Sequence, residues 1–152
     1  MFVGEYEHVI DAKRRLAIPA EVRDMFNPEE HGGAFYASPG SEHSLKLYPE
    51  RQFKIVMNNF SKNPKFRKHK RSIFSQSARV PMDSAGRVRI PERLLSEHGL
   101  SGKVIVLGMN DHLEVTSADQ WTRDRANLER VSDEIWDQAI EDAMDEMNGN
   151  ES

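Results

Sequence analysis

Asp11-Ala-Lys-Arg-Arg15-Leu-Ala-Ile-Pro19 returns later in the chain as Asp83-Ser-Ala-Gly-Arg87-Val-Arg-Ile-Pro91. Each copy places an aspartate at the first position of a tight turn, basic residues in and after the turn, a short apolar strand, and a proline that can open a helix. The aspartate at the head of such a turn accepts hydrogen bonds from backbone N–H groups that follow it, and this holds the loop closed. We therefore predict a duplicated basic turn that is suited to binding a repetitive anion.

The duplication extends beyond the turns. Leu45-Lys-Leu-Tyr-Pro-Glu-Arg-Gln-Phe53 aligns with Leu113-Glu-Val-Thr-Ser-Ala-Asp-Gln-Trp121, and both run from an apolar strand into a helix start with Gln and a large aromatic residue. The offset between the copies is 72 at the turns and 68 at these helices, so the first copy contains four extra residues, which we place within 28–33 or 39–42. The predicted organisation is a first unit over 1–60, a basic connector over 61–73, a second unit over 74–123, and an acidic C-terminal helix and tail over 124–152.

Short strands at regular spacing predict a mainly β fold with short helices at its margins, in the α+β class. In the first unit, alternating residues predict a strand over 5–10, and a hairpin is expected around Pro39-Gly40. In the second unit we expect a first strand from Ser75 to Val80 and a hairpin across Asn110-Asp111. With 152 residues, of which 38% are apolar, the two halves are expected to pack against each other rather than to fold independently.

The composition excludes several classes of protein. The chain has no cysteine, which excludes disulfide scaffolds, zinc fingers and thiol nucleophiles. No stretch approaches the ~18 apolar residues of a membrane span and no secretion signal is recognised, so the expected location is the cytoplasm, without membrane attachment. The sequence has no His-x-x-x-His pair, phosphate-binding loop or Gly-x-Ser-x-Gly elbow, so we expect neither an enzyme nor a cofactor. His8 near Asp11 and His112 beside Asp111 could contact a metal, but isolated surface histidines explain them better, and no metal site is predicted.

The net charge of −4 hides a strong division of charge along the chain. Residues 62–93 hold ten Lys and Arg against two acids, whereas residues 124–152 hold two against ten. A basic segment of this kind is typical of nucleic-acid binding, even where the charge of the whole chain is negative. Within it, the basic run 62–71 either follows a DNA backbone as a charged linker or is a solvated connector, and Phe66, Ile73 and Phe74 indicate that part of it is anchored.

A long amphipathic helix is predicted at the C-terminal end. Ser117 and Gln120 have the spacing of a capping box, in which side chains satisfy the backbone N–H groups at a helix start. The helix either docks on its own chain, forms an oligomer contact, or mimics phosphate and competes for the basic turns. Its other face is acidic, and its apolar face is predicted from residues at three- and four-residue steps, namely Leu128, Val131, Ile135, Trp136, Ala139, Ile140, Ala143, Met144 and Met147.

At the paired turns the sequence resembles the MraZ family of bacterial transcriptional regulators, whose chains contain two SpoVT/AbrB-type β units in tandem. The resemblance covers nearly the whole chain: both Asp-x-x-x-Arg turns, both strand-Pro-helix continuations, both Gln-aromatic helix starts, and the Met1-Phe-Val-Gly-Glu-Tyr6 opening. It implies a pseudo-symmetric swapped-hairpin fold and assembly into a homo-oligomeric ring. It also implies a nucleoid-associated regulator, expected to be a repressor, that binds short direct repeats in double-stranded DNA upstream of a cell-division and cell-wall gene cluster.

Carried over by position, the resemblance assigns Asp11 and Arg15 to the first turn and Asp83 and Arg87 to the second. A guanidinium can form paired hydrogen bonds with a phosphate or with O6 and N7 of guanine, so the two arginines are the first candidates for DNA contact. The alternative for each arginine is an ion pair with the aspartate of its own turn. Further phosphate contacts are expected from Lys13, Arg14 and Arg89.

The other turn residues are expected to brace the loops, and these are Asp11, Asp83 and Gly86. A carboxylate that faced a phosphate would be repelled, so the aspartates are not expected to contact DNA. The chain departs from the family pattern at Arg14, which stands where the second turn has Gly86. Because glycine adopts φ > 0 without steric cost, Arg14 is either strained or its turn takes another form. The competing function is a non-enzymatic interaction module that acts through the acidic C-terminal helix.

Overall fold

The computed structural model describes residues 1–41 and 43–150, and the chain divides into two units, Met1–Thr122 and Arg123–Ser152. The strands are β1 (Glu5–Ile10), β2 (Arg15–Ala17), β3 (Ala34–Pro39), β4 (Ser44–Pro49), β5 (Ala78–Pro81), β6 (Arg87–Arg89), β7 (Gly102–Gly108) and β8 (Leu113–Ser117). The helices are α1 (Ala20–Met25), α2 (Pro28–His31), α3 (Glu50–Lys62), a 3₁₀ helix (Pro64–His69), α4 (Lys70–Gln76), α5 (Glu92–Glu97), α6 (Ala118–Ala126) and α7 (Asp133–Asn150). Within the described residues, no helix is both long and apolar enough to cross a membrane.

Prolines mark the beginnings of three helices. Pro19, Pro49 and Pro91 directly precede α1, α3 and α5, with φ of −52°, −55° and −54°. The pyrrolidine ring fixes φ in this range and leaves no N–H to be satisfied at the helix start. The strand-to-helix transitions are therefore set by the same residue in both copies of the repeated phrase.

Six strands form one antiparallel sheet in the order β1-β7-β8-β4-β3-β5. The first strand of each copy pairs with the hairpin of the other copy, because β1 lies against β7 and β5 lies against β3. The pair β4 and β8 joins the two hairpins at the centre of the sheet. Exchanging the two copies only reverses this order, which confirms the predicted pseudo-symmetric fold with swapped hairpins.

The four extra residues of the first copy form α2 (Pro28–His31), which has no counterpart between α5 and β7. Asn27 caps this short helix by accepting a hydrogen bond from the N–H of Glu29 at 3.0 Å. The first of the two predicted placements, within 28–33, is therefore confirmed.

The strands β2 and β6 form a separate antiparallel pair, which together with the turns 11–15 and 83–87 we call the basic ribbon. Leu16 lies opposite Val88, and both side chains are fully buried. Because side chains alternate along a strand, the neighbouring positions on both strands face away from the core. The outer face of the ribbon therefore pairs Arg15 with Arg89 and Ala17 with Arg87.

Each turn is anchored by the other copy of the repeat. The backbone N–H of Ile18 donates to the carbonyl of Gly86 at 2.9 Å, and the N–H of Ile90 donates to the carbonyl of Arg14 at 3.0 Å. A single cluster of buried apolar side chains, which includes Leu16 and Val88, continues from the ribbon into the large sheet. The ribbon is therefore held on a packed core rather than at the tip of a mobile loop.

The predicted start of the first strand in the second copy is wrong. A strand is expected from Ser75, but α4 continues to Gln76 and β5 begins at Ala78. The hydroxyl of Ser77 donates to the carbonyl of Ile73 at 2.6 Å, which satisfies a carbonyl at the end of the helix. Local hydrogen bonding thus favours helix over strand at these residues.

The basic connector is helical rather than extended. Asn63 caps the 3₁₀ helix by accepting a hydrogen bond from the N–H of Lys65 at 3.0 Å, and α4 follows directly. Phe66 packs at 5.2 Å from the ring of Phe60 in α3, so part of the run is anchored as expected. Phe74 is not, since it is 46% exposed.

The predicted continuous C-terminal helix is interrupted. Ser117 caps α6 by accepting a hydrogen bond from the N–H of Gln120 at 3.1 Å, as its spacing predicts. The helix then ends at Ala126, and α7 begins at Asp133. A second cap fixes the beginning of α7, because the hydroxyl of Ser132 accepts a hydrogen bond from the N–H of Ile135 at 3.2 Å.

Candidate nucleic-acid interface

The first turn is organised around the carboxylate of Asp11. Its Oδ1 accepts hydrogen bonds from the backbone N–H groups of Lys13 and Arg15, each at 2.9 Å, and its Oδ2 accepts one from Nε of Arg15 at 2.7 Å. The N–H of Asp11 donates to the carbonyl of Arg15 at 3.0 Å and closes the loop. One side chain thus fixes the loop backbone and the direction of the arginine.

The second turn repeats this geometry. Oδ1 of Asp83 accepts from the N–H groups of Ala85 and Arg87 at 2.9 Å, and Oδ2 accepts from Nε of Arg87 at 3.0 Å. In both turns the hydrogen bond from the arginine backbone N–H is the main cause that lowers the pKa of the aspartate below its usual 3.8, and the guanidinium lowers it further. Both aspartates are therefore charged at neutral pH.

The aspartates occupy only one edge of each guanidinium. The ion pairs use Nε, and no terminal nitrogen of Arg15 or Arg87 has a hydrogen-bond partner among the residues that the structure describes. The side chains are 25% and 35% exposed, respectively. Each arginine is thus oriented by an ion pair within its turn and still presents two nitrogens outward, the edge that forks onto phosphate or guanine.

The outer face of the basic ribbon concentrates like charges. Arg15 lies directly opposite Arg89, and Arg87 lies diagonally across the same face from Arg15. Like charges that are opposed across two strands repel and lower stability unless an anion lies between them. Lys13 is exposed at the tip of the first turn, and Arg14 beside it is partly buried. Chemically, this face can bind a row of phosphates.

Arg14 keeps the turn form that glycine has in the second copy. Its φ is 64°, and that of Gly86 is 79°, so both residues lie in the left-handed region. A side chain in this region costs roughly 1–2 kcal/mol. The first turn therefore holds a strained residue that adds a positive charge beside Arg15.

We expect Arg14→Gly to raise the free energy of unfolding by about 1 kcal/mol, because glycine adopts the left-handed conformation without strain. The matched control is Gly86→Ala, which should destabilise the chain because Gly86 has a φ of 79°, where a residue with a Cβ is strained. Urea unfolding measures both, and an unchanged midpoint for Arg14→Gly would show that the first turn stores no strain.

The structure adds Arg23 to the basic surface, although this residue lies outside both repeated turns. Its side chain lies against Gly86, with Cδ and a terminal nitrogen 2.7 Å from where a Cβ would stand. The helix α1 of the first copy thus supplies a cation beside the second turn. The swapped pairing could have predicted this contact, since Arg23 follows Pro19 by four residues and the copies exchange elements.

The surroundings of the two turns differ. At an offset of 72, the residue equivalent to Arg23 is Leu95, which lines a 560 Å³ cavity beside the first turn together with Arg14 and Glu92. The first turn therefore has its extra cation in the loop itself, whereas the second receives one from a neighbouring helix.

The histidines considered as metal ligands are held by other contacts or stand alone. Nδ1 of His112 lies 2.7 Å from a carboxylate oxygen of Asp111, and its ring stacks on Tyr48 at 4.6 Å. Across residues 1–41 and 43–150, no three His, Asp or Glu side chains form a group that could hold a metal ion.

Comparison with known proteins finds two matches to one family within the chain. A family model described as "MraZ protein, putative antitoxin-like" matches twice, over residues 1–76 and 73–144. A protein of Alkaliphilus metalliredigens named transcriptional regulator MraZ is 35% identical over 134 residues, which cover 84% of this chain and 90% of that protein. Proteins of the same name from Syntrophomonas wolfei subsp. wolfei and Ligilactobacillus salivarius are each 31% identical over 145 residues, which cover 93% of this chain and 98% of theirs.

Proposed function

Because the chain belongs to the MraZ family, we propose that it is a sequence-specific DNA-binding transcription regulator. In this proposal it is not an enzyme, acts in the cytoplasm on the nucleoid, and represses a cell-division and cell-wall gene cluster. Its DNA site consists of short direct repeats. The units 1–60 and 74–123 each present one basic turn to the duplex, and the connector 61–73 and the segment 124–152 have other roles.

The observation that supports DNA binding is the geometry of the basic ribbon. Two arginines are each oriented through Nε by a turn aspartate, which leaves their terminal nitrogens outward on one face. We assign base or phosphate contacts to Arg15 and Arg87, and phosphate contacts to Lys13, Arg14 and Arg89. Asp11, Asp83 and Gly86 hold the loops in shape. Arg23 is added as a further phosphate contact at the second turn.

Assembly is the second part of the proposal. The ribbon of one chain spans only three residues on each strand, so it can read few base pairs. Tethering several such sites raises avidity by ~10² to 10⁴ when the spacing of the DNA repeats fits the spacing of the protein sites. A homo-oligomeric ring on direct repeats provides this arrangement.

The proposal is tested by titrating the protein against duplexes tiled across the DNA upstream of the cell-division and cell-wall cluster. We expect tight binding to a fragment with several repeats, at least ~100-fold weaker binding to one repeat, and weak binding to a shuffled duplex. The logarithm of the affinity should fall with the logarithm of salt concentration, by roughly 0.9 for each phosphate neutralised.

Equal affinity for repeated and shuffled duplexes, or a response to salt that is nearly flat, would contradict the proposed function. Either result would favour the competing interpretation, a protein-interaction module that acts through the acidic α7. Fluorescence anisotropy at several salt concentrations gives all these quantities in one series.

A further inference from the structure

The helix α7 is amphipathic and strongly acidic. Its apolar side chains are more than half exposed, as for Trp136 at 59%. At 100° per residue, Trp136, Ile140 and Met147 lie on one face, while Glu141 and Asp145 lie on the opposite face. Asp137 and Glu146 stand at the two borders of the apolar stripe. Such a helix requires a partner that is apolar at the centre and basic at the rim.

The basic connector forms a groove with those properties. Phe60, Phe66, Ile73 and Pro39 line a 460 Å³ cavity between α3, the 3₁₀ helix and α4, and Lys65 and His69 border it. We call this the connector groove. The connector around it continues with exposed Arg67, Lys68, Lys70 and Arg71. The floor of the groove is thus apolar, and its surroundings are positively charged.

The acidic borders of α7 are complementary to the basic surroundings of the connector groove. The same acidic borders disfavour the simplest alternative partner, which is the α7 helix of another copy. Pairing of two α7 helices through their apolar stripes would bring Asp137 and Glu146 of both copies together, and like charges at such an interface repel. The connector groove is instead bordered by Lys65 and surrounded by exposed Lys and Arg side chains, which complement these acids. Residues 124–152 carry an excess of eight acids, whereas the connector residues 62–71 carry six Lys and Arg and no acid.

We propose that α7 docks in the connector groove of a second copy of the chain. A donor helix and a different acceptor groove on one chain make a heterologous contact, which propagates from copy to copy and closes into a ring when the rotation permits. The inference rests on the assembly part of the proposed function and identifies its contact. It also assigns the connector to assembly rather than to DNA.

Charge reversal on both sides tests the contact in the full chain. Lys65→Glu with His69→Glu reverses the groove, and Asp137→Lys with Glu146→Lys reverses the borders of the helix stripe. Light scattering should show each variant alone reduced to the 17.4 kDa of one chain. An equimolar mixture of the two should assemble again, because each helix then meets a groove of opposite charge.

The control variant is Glu141→Lys with Asp145→Lys, which changes the net charge equally but on the opposite face of α7. It should assemble as the unchanged chain does, and circular dichroism should show all variants folded. If the border variants stay assembled, or if the mixture fails to reassemble, the docking is overturned. An unchanged chain that is itself a monomer, as when α7 docks on its own chain, also overturns it.

Measuring the DNA affinity of the same variants distinguishes a failure of the docking inference from a failure of the proposed function. Variants of the groove or the helix leave the basic ribbon intact, so they should bind a duplex with one repeat as the unchanged chain does and lose ~10²-fold on several repeats. If assembly is unaffected while binding to repeats persists, only the docking inference fails. If no form binds the repeats, the proposed function fails whatever the mass of the particles.

Discussion

Replacing Arg15 and Arg87 together with alanine is expected to lower DNA affinity about 100-fold or more and to leave thermal stability nearly unchanged. Each arginine that forks onto phosphate or guanine contributes about 1–3 kcal/mol, so two such losses amount to about 2–6 kcal/mol. A 100-fold loss of affinity corresponds to about 2.8 kcal/mol, which lies within this range. Both guanidiniums are partly exposed, and exposed ion pairs contribute little to folding. Anisotropy titration and a thermal melt of the same samples measure the two effects.

The matched control is Arg79→Ala. Arg79 also binds a carboxylate through Nε, that of Glu50 at 3.3 Å, but it stands on β5 of the large sheet, outside the basic ribbon. The control should keep its DNA affinity. If the double variant binds normally, the ribbon is not the DNA-binding surface, and if it unfolds, the arginines are structural.

The largest loss of stability is expected from Leu16→Ala. Leu16 is fully buried beneath the basic ribbon, opposite Val88, and belongs to the core that continues into the large sheet. Truncating a buried leucine costs about 2–5 kcal/mol through lost burial and a residual cavity. We therefore expect the midpoint of urea unfolding to fall sharply and DNA binding to be lost with it.

The control is Leu128→Ala, at a position that is 62% exposed between α6 and α7, where the same truncation should change stability by less than about 0.5 kcal/mol. A small effect at Leu16 would show that the ribbon is not packed on the core. In that case the packed core beneath Arg15 and Arg87 would not be what holds them in position for DNA binding.

Much of the fold follows from the repeated phrase. Two copies of turn, strand and proline predict two equivalent turns, and the structure has the same hydrogen bonds at Asp11 and Asp83. The exchange of hairpins between copies has no local signal, because the paired residues of β1 and β7 lie 92 to 102 positions apart in the sequence. That pairing was available only through resemblance to a family.

Predictions from the sequence are wrong or incomplete where single hydrogen bonds set the ends of helices, or where the contact depends on the exchange of elements between the two copies. The bond from Ser77 to the Ile73 carbonyl and the cap at Ser132 are single side-chain contacts that override periodicity, so α4 and the break before α7 are missed. Arg23 is missed for another reason, since it reaches Gly86 only because elements exchange between copies. The periodicity of apolar residues indicates which face of a helix is buried, but it does not indicate which distant loop the helix contacts.

In the proposed function, the two unlike turns would give the complex with DNA a direction. A DNA-binding protein with strict twofold symmetry binds a DNA site equally in both orientations and is therefore suited to palindromic sites. Here the first turn has Lys13 and Arg14 where the second has Ala85 and Gly86, although each is anchored by the same bond from the other's strand. The two halves can differ because they are parts of one chain, and a duplex bound by both turns as we propose would then be recognised in one orientation only.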